Sequence, residues 1–130
     1  MELITISSRD GLTDDRLKSP EADLFPKGLD TLKFTNKKVI FLTSRVHPGE
    51  TPGSHSLNGL LNLLVSDLQS EQAKTLRRHF VFKIIPMLNP DGVARGYYRL
   101  DTKAQNLNRF YVEASKELHP TIYAFKKLIA

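Results

Sequence analysis

Residues 38–52 read Lys38-Val-Ile-Phe-Leu-Thr-Ser-Arg-Val-His-Pro-Gly-Glu-Thr-Pro52, an apolar run that passes directly into a polar turn. The run over residues 38–44 has the continuous apolar character of a strand that is covered on both faces of a sheet. Thr51 is a favourable N-cap residue and Pro52 suits the first helical position, so a helix is expected to begin there. This stretch therefore predicts a strand, a tight turn and a helix, the repeating unit of an α/β sheet.

The rest of the chain extends this pattern. Leucines recur at helical spacing after the turn, at Leu57, Leu60, Leu61, Leu64 and Leu68. Residues 80–85 predict a second buried strand, and further helices are expected over residues 72–79 and 118–129. Because strands that are joined through a helix pair in parallel, the sequence predicts an α/β fold, namely a partial α/β/α sandwich with a mixed, mostly parallel sheet.

The N-terminal part has a different character. Residues 3–8 are rich in β-branched side chains and predict a short strand, whereas residues 9–36 are polar and interrupted by proline and glycine, which predicts a long loop. We therefore divide the chain into residues 1–36, a strand and loop that lead into the domain, and residues 37–130, the domain itself. Residues 89–109 are expected to be mostly loop.

Composition narrows the class of protein. The chain has 130 residues, 40% of them hydrophobic, and no cysteine, so a metal site would have to use histidine and carboxylates. It contains no apolar run long enough to span a membrane, and its first residues do not resemble a secretory signal. Residues 77–109 contain seven basic and two acidic side chains. The difference between them is +5, the same as the net charge of the whole chain. A basic segment of this kind favours an anionic partner such as an acidic peptide or a nucleic acid.

The turn after the first apolar run contains a candidate metal site. His47 and Glu50 lie three residues apart, and Pro48-Gly49 between them can turn the chain so that both side chains face one point. Zinc binds neutral imidazole nitrogen and carboxylate oxygen, and a catalytic site has three protein ligands and an open position. Glu50 also precedes the predicted helix, whose positive end favours the carboxylate form. The alternative is a loop histidine and a helix-start glutamate that bind no metal.

A second set of polar side chains lies in the later loop. Arg99 and Arg109 can bind a carboxylate or stabilise oxyanion charge, and Asn108 adds an amide donor. Aromatic residues interleave with the basic ones in this segment, which keeps nucleic-acid binding as a weaker alternative. The remaining histidines have no spacing that indicates metal ligation, and they are interpreted as surface or structural residues: His55, His79 and His119.

Taken together, these motifs resemble the M14 zinc metallocarboxypeptidases, in particular the cytosolic carboxypeptidase branch. Residues 44–52 are similar to the first zinc motif of that branch, and residues 80–93 to its central strand and turn. Gly96-Tyr-Tyr-Arg99 and Asn106-Leu-Asn-Arg109 resemble its substrate-binding loop. The opening residues 3–16 resemble one subgroup of the branch, so the resemblance covers nearly the whole chain.

The resemblance implies roles for individual residues. His47 and Glu50 would be zinc ligands, Arg99 would polarise the scissile carbonyl, and Asn108 with Arg109 would bind the C-terminal carboxylate of the substrate. Members of this branch remove glutamates from protein C-termini or side chains, notably on tubulin. The implied partners are therefore acidic protein tails, and the implied location is the cytoplasm, with microtubules as a further expectation.

The family's third zinc ligand, its general-base glutamate and its substrate-capping tyrosine lie beyond the position that matches Ala130. Hydrolysis by the 130 residues alone is therefore expected to be weak, and the open edge of the sheet is expected to favour self-association. A non-catalytic chain that binds acidic tails through Arg99, Asn108 and Arg109 is the alternative.

Overall fold

The computed structural model describes residues 1–17, 31–66 and 70–130. The strands are β1 (Ile4–Ile6), β2 (Leu12–Leu17), β3 (Thr31–Phe34), β4 (Lys38–Thr43) and β5 (Phe80–Ile85). The α-helices are α1 (Thr51–Leu61), α2 (Glu71–His79), α3 (Pro90–Ala94) and α4 (Pro120–Ile129). A π-helical turn over Asn62–Ser66 follows α1, and Leu107–Arg109 form a short 3-10 helix.

Strand β5 is the centre of a three-stranded sheet with the order β1-β5-β4. It pairs in parallel with β4, from Lys38 opposite Phe80 to Thr43 opposite Ile85, and antiparallel with β1. The crossover between β4 and β5 contains α1, the π-helical turn and α2. The sheet is therefore mixed, and the prediction of an α/β fold in which the two apolar runs pair in parallel is confirmed.

Apolar clusters cover β5 on both of its faces. Phe82 and Ile84 pack with Leu64 of the crossover on one face. Ile85 packs with Leu88, Leu107 and Ile122 in the second cluster, to which Phe125 of α4 also contributes. Because successive side chains of a strand point to opposite faces, the helices lie on both sides of the sheet. This is the layered arrangement that the sequence predicts.

The prediction of a long loop over residues 9–36 is wrong in part. Residues of β2 and β3 pair as an antiparallel two-stranded sheet, with Leu12 opposite Phe34 and a register shift before Arg16. The hairpin was not predicted because β2 is polar and largely exposed, and because the alternation of Leu32 and Phe34 in β3 extends over only four residues. Residues 18–30 lie outside the described residues, and the division of the chain at residue 36 stays a prediction.

Strand β4 is less buried than its apolar sequence indicates. The prediction that it is covered on both faces holds in part: Ile40 and Leu42 are half-buried beside Leu64, and Phe41 packs edge-on against Phe125 of α4, but Val39 is 52% exposed. In the described part of the chain, β4 pairs with β5 along one edge only. Its remaining edge leaves backbone donors and acceptors available for pairing.

The predicted helices are confirmed with shifted ends. Helix α1 begins at Thr51, and its N-cap is Glu50 and not Thr51 as predicted. Of the leucine stripe, Leu64 is fully buried and Leu57, Leu60 and Leu61 pack beside it, whereas Leu68 lies outside the described residues. The segment 89–109 contains α3 and the 3-10 helix within an otherwise irregular path. No helix in the described ranges is long and apolar enough to cross a membrane.

One charged side chain lies within the sheet. Lys83 of β5 is only 4% exposed, and its Nζ donates a hydrogen bond to Thr5 Oγ1 of β1 at 3.0 Å. Burial disfavours the ammonium form and lowers the pKa of Lys83 from 10.5 to about 8.

We predict that Lys83 makes stability depend on pH. Its folded-state pKa is depressed, so the unfolded chain binds more protons between about pH 8 and pH 10.5, and the free energy of unfolding rises with pH across that window. Urea unfolding at pH 7.5, 8.5 and 9.5 should show this rise. Lys83→Met should reduce it, because methionine has a similar length and no charge. Equal slopes for the two proteins would contradict the prediction.

Candidate active site

The loop between β4 and α1 is fixed by an extension of the parallel pairing beyond the strand ends. Ser44 N–H donates to Ile85 O at 3.1 Å, Leu88 N–H donates to Ser44 O at 2.9 Å, and Asn89 N–H donates to Arg45 O at 3.1 Å. The loop that contains His47 therefore lies against the segment that follows β5. Both segments are at the carboxyl edge of the parallel pair, where open α/β sheets bind ligands.

His47 and Glu50 face each other across this loop. Nδ1 of His47 lies 2.7 Å from Oε1 of Glu50. His47 is buried, whereas the Glu50 side chain is 61% exposed. Glu50 occupies the N-cap position of α1 without capping it through its side chain, so the carboxylate is free to face the imidazole. The pair thus combines a fixed nitrogen with an accessible oxygen at the positive end of a helix.

Asn106 determines which nitrogen of His47 carries the proton. Its Oδ1 accepts the backbone N–H of Asn108 at 3.2 Å, which identifies this atom as the amide oxygen. The same oxygen lies 2.9 Å from Nε2 of His47. An oxygen acceptor requires Nε2 to be the donor, so the neutral ring presents an unprotonated Nδ1 towards Glu50.

The donor set fits a zinc ion. Nδ1 and the Glu50 carboxylate are both groups that ligate zinc, and at 2.7 Å they share a hydrogen bond whose proton a metal ion would replace. A second partner that holds the other ring nitrogen is the usual arrangement around a metal-ligating histidine. Within residues 1–17, 31–66 and 70–130, no group of three or more potential ligands from His, Cys, Asp and Glu converges. The described residues therefore present two candidate ligands.

The turn Pro48-Gly49 is closely packed from two sides. Gly49 N–H donates to Tyr98 O at 2.8 Å, and a Cβ on Gly49 would lie 2.8 Å from that same oxygen. On the other side, a Cβ on the buried Gly92 would lie 2.5 Å from Pro48 Cγ. Asn89 joins these segments, because its Nδ2 donates to Leu100 O at 3.3 Å and its Oδ1 caps α3. The segment that was expected to be mostly loop thus begins with a short helix packed against the loop that contains His47 and Glu50.

The structure brings the three other predicted site residues to the same region through their backbone neighbours. Arg99 follows Tyr98, whose carbonyl oxygen holds Gly49. Asn108 and Arg109 belong to the 3-10 helix that begins after Asn106. All three side chains are exposed, and Arg109 Nη1 donates to Asn108 O at 3.2 Å. Neither Arg99 nor Arg109 contacts His47 or Glu50 among the hydrogen bonds and ion pairs of the described residues.

The remaining histidines lie outside this arrangement. His55 and His79 are exposed. His119 is buried, stacks on Phe110 with ring centroids 3.7 Å apart, and accepts the backbone N–H of Ser115 through Nδ1. It directly precedes α4, as predicted, and its packing fixes the chain just after Arg109.

Two residues of the site were not recognised from the sequence. Asn106 was part of a quoted motif without a role, and Asn89 was included only in the segment expected to be mostly loop. Their signal is that each is a polar residue in a loop at the carboxyl edge and becomes buried or half-buried there. Asn106 contacts His47 across 59 positions, and Asn89 N–H contacts Arg45 O from the other strand of the pair, so spacing alone could not identify them.

The fold and this arrangement have clear counterparts among known proteins. The family model described as zinc carboxypeptidase matches residues 1–117. The chain therefore belongs to the zinc carboxypeptidase family, a family of metallopeptidases that are hydrolases, and the predicted family membership is confirmed.

Individual relatives place the chain within that family. It is 54% identical to cytosolic carboxypeptidase-like protein 5 of Danio rerio over 99% of its own length. It is also similar to a solved metallo-carboxypeptidase from Burkholderia cenocepacia, with a TM-score of 0.73 and 27% identity over 98% of this chain and 28% of that one. A putative carboxypeptidase A from Shewanella denitrificans has a TM-score of 0.68 and 39% identity over 72% of this chain and 24% of that one. The chain spans 15% of the length of the Danio rerio relative.

We predict that Gly49→Ala and Gly59→Ala have opposite effects. The new methyl group at residue 49 would meet the Tyr98 main chain, whereas at residue 59, inside α1, it would meet nothing within 4 Å. Overpacking should destabilise the first variant by about 1–3 kcal/mol. Helix propensity should stabilise the second by about 0.5–1 kcal/mol. Chemical denaturation measures both, and an unchanged Gly49→Ala protein would contradict the close approach.

Proposed function

We propose that this protein is a zinc-dependent carboxypeptidase that removes C-terminal or side-chain glutamates from acidic protein tails, including those of tubulin. The observation that supports this most directly is the His47–Glu50 pair, in which Asn106 holds Nε2 of His47 and Nδ1 faces the Glu50 carboxylate. The chain covers 15% of the length of its Danio rerio relative, so it contributes part of an active site. By family resemblance, the third ligand and the general base belong to the part of such relatives that this chain does not span.

His47 and Glu50 are the proposed zinc ligands. A bound zinc ion supplies Lewis acidity at the scissile carbonyl. The chain itself contributes a pre-oriented imidazole, because the hydrogen bond to Asn106 fixes both the tautomer and the ring plane. The Glu50 side chain is largely exposed, so the pair is accessible to a substrate. A purely structural metal site would not need this access.

The arginines of the later loop are proposed to bind the substrate. Arg99 would stabilise negative charge on the carbonyl oxygen, since a guanidinium group next to a reacting carbonyl favours the charged transition state. Asn108 and Arg109 would bind the terminal carboxylate, which Arg can contact through two parallel N–H groups. Their exposure on one loop of a basic segment favours glutamate-rich substrates on electrostatic grounds.

The proposed location follows the substrate. The relative from Danio rerio is named a cytosolic carboxypeptidase-like protein. We propose that this protein also acts in the cytoplasm, on microtubules where tubulin is the substrate.

The metal ligands can be tested directly in the protein at its native length. His47→Ala and Glu50→Ala should each abolish the retention of zinc after dialysis, measured by atomic emission, because each removes one donor of the pair. The matched controls His55→Ala and Glu113→Ala alter exposed residues outside the site and should retain zinc. Wild-type zinc content in both His47→Ala and Glu50→Ala would refute the proposed centre.

Substrate binding gives a second test. Arg109→Ala should weaken the binding of a glutamate-rich peptide about 10- to 100-fold, since a hydrogen bond to a charged group contributes about 1.5–3 kcal/mol. Arg99→Ala should mainly lower kcat, because its proposed interaction is with charge that develops in the transition state. Arg9→Ala, an exposed arginine outside the basic segment 77–109, serves as the control. Binding should weaken as the salt concentration rises.

The same measurement distinguishes the two functions. A peptidase cleaves the peptide and loses this activity in chelator, whereas a non-catalytic binder retains salt-sensitive binding in chelator and never cleaves. The exposure of Arg99, Asn108 and Arg109 is the observation that keeps the second function under consideration.

A further inference from the structure

Arg45 folds its side chain over the loop that contains the candidate ligands. Its Nε donates to Pro48 O at 2.8 Å, and Nη2 donates to the same carbonyl oxygen. Its Nη1 donates to Ser54 Oγ at 2.8 Å, in the first turn of α1. One guanidinium group therefore connects the peptide between the two ligands to the helix that follows them.

The backbone of Arg45 is also fixed. Its φ is +53°, in the left-handed region that non-glycine residues seldom adopt. Its carbonyl oxygen accepts Asn89 N–H at 3.1 Å, which ties it to the segment after β5. Glycine would adopt this conformation more easily. An arginine in this conformation therefore indicates a side chain whose contacts offset the backbone strain.

The position of Pro48 explains what this contact controls. Pro48 lies directly after His47 and two residues before Glu50, and its carbonyl oxygen belongs to the Pro48–Gly49 peptide plane, whose N–H donates to Tyr98 O on the opposite side. Two guanidinium N–H groups on its carbonyl oxygen restrict the rotation of that plane. The direction of the loop between His47 Nδ1 and Glu50 Oε1 then depends on a rigid, planar donor that lysine cannot reproduce.

We infer that Arg45 is a positioning residue for the metal centre, and that it sets the separation of His47 and Glu50 by holding Pro48 and Ser54 together. This inference rests on the proposed function. Arg45 makes its contacts with the loop and with α1, so its effect on a substrate passes through the ligands. Its removal should therefore alter metal affinity and turnover more than substrate affinity.

The experiment compares four variants of the protein at its native length: Arg45→Ala, Arg45→Lys, Ser54→Ala and the exposed-arginine control Arg9→Ala. The zinc dissociation constant is measured by competition with a chromogenic chelator, and the melting temperature is measured without metal. KM and kcat are measured with a glutamate-rich peptide.

Arg45→Ala should weaken zinc binding about 10- to 100-fold, the usual effect of removing a residue that orients a ligand. Arg45→Lys should weaken zinc binding nearly as much, because an ammonium group retains the charge but lacks the planar set of donors of a guanidinium group. Ser54→Ala should weaken zinc binding severalfold. If Arg45→Ala does not fold, this variant still tests the inference. Arg9→Ala should bind zinc as the wild type does. In the two Arg45 variants kcat should fall with KM nearly unchanged.

Three outcomes would overturn the inference, and each has a different meaning. If His47→Ala loses zinc but both Arg45 variants bind it as the wild type does, only the role of Arg45 is wrong. If His47→Ala also retains zinc, the proposed metal centre fails and the role of Arg45 with it. Wild-type affinity in Arg45→Lys alone would show that charge suffices and that the planar set of donors has no positioning role.

Discussion

The parallel pairing of β4 with β5 continues beyond both strand ends, and the candidate site depends on this constraint. Backbone hydrogen bonds from Ser44, Leu88 and Asn89 extend the ladder into two loops that would otherwise diverge. Strand β5 is packed on both faces, so the loop attached to it inherits the rigidity of the core. A site that rests on fixed backbone in this way keeps its donors in place without a bound ligand, which is the preorganisation that catalysis requires.

The side chain that holds the second ring nitrogen of His47 is uncharged, and this affects the electrostatics of the site. A histidine that ligates metal commonly donates its second nitrogen to a carboxylate or to a carbonyl oxygen. Here the acceptor is the Asn106 amide, which orients the ring but adds no negative charge. Glu50 is then the only acidic side chain in contact with His47 among the described residues, while Arg99 and Arg109 lie exposed on the neighbouring loop. The local field therefore remains favourable for an anionic substrate.

The sequence predicted those features that depend on local pattern. The runs that became β4 and β5 and the helices after them were recognisable, because a buried strand leaves a continuous apolar run and a buried helix face leaves leucines at helical spacing. The His47–Glu50 pair was recognisable because three residues of a tight turn suffice to bring it together. The β2–β3 hairpin, the exposed edge of β4 and the contact between Asn106 and His47 were not, since they depend on which distant segments meet. The contacts of Arg45 with Pro48 and Ser54 are local in sequence, but the spacing of an arginine and a histidine does not indicate which groups the arginine side chain contacts.

His47 and Asn106 are 59 positions apart in sequence, and this separation affects how the site forms during folding. During synthesis from the N-terminus, the His47–Glu50 loop leaves the ribosome well before Asn106 does, and until then neither tautomer of the imidazole is selected. Closing so long a separation is a late event, because its entropy is lost before the contact forms. Zinc fingers fold around a metal that is captured by residues close in sequence. In this chain the two candidate ligands are also close in sequence, but the acceptor that orients His47 is not, so the orientation of the ring depends on the crossover and its strands.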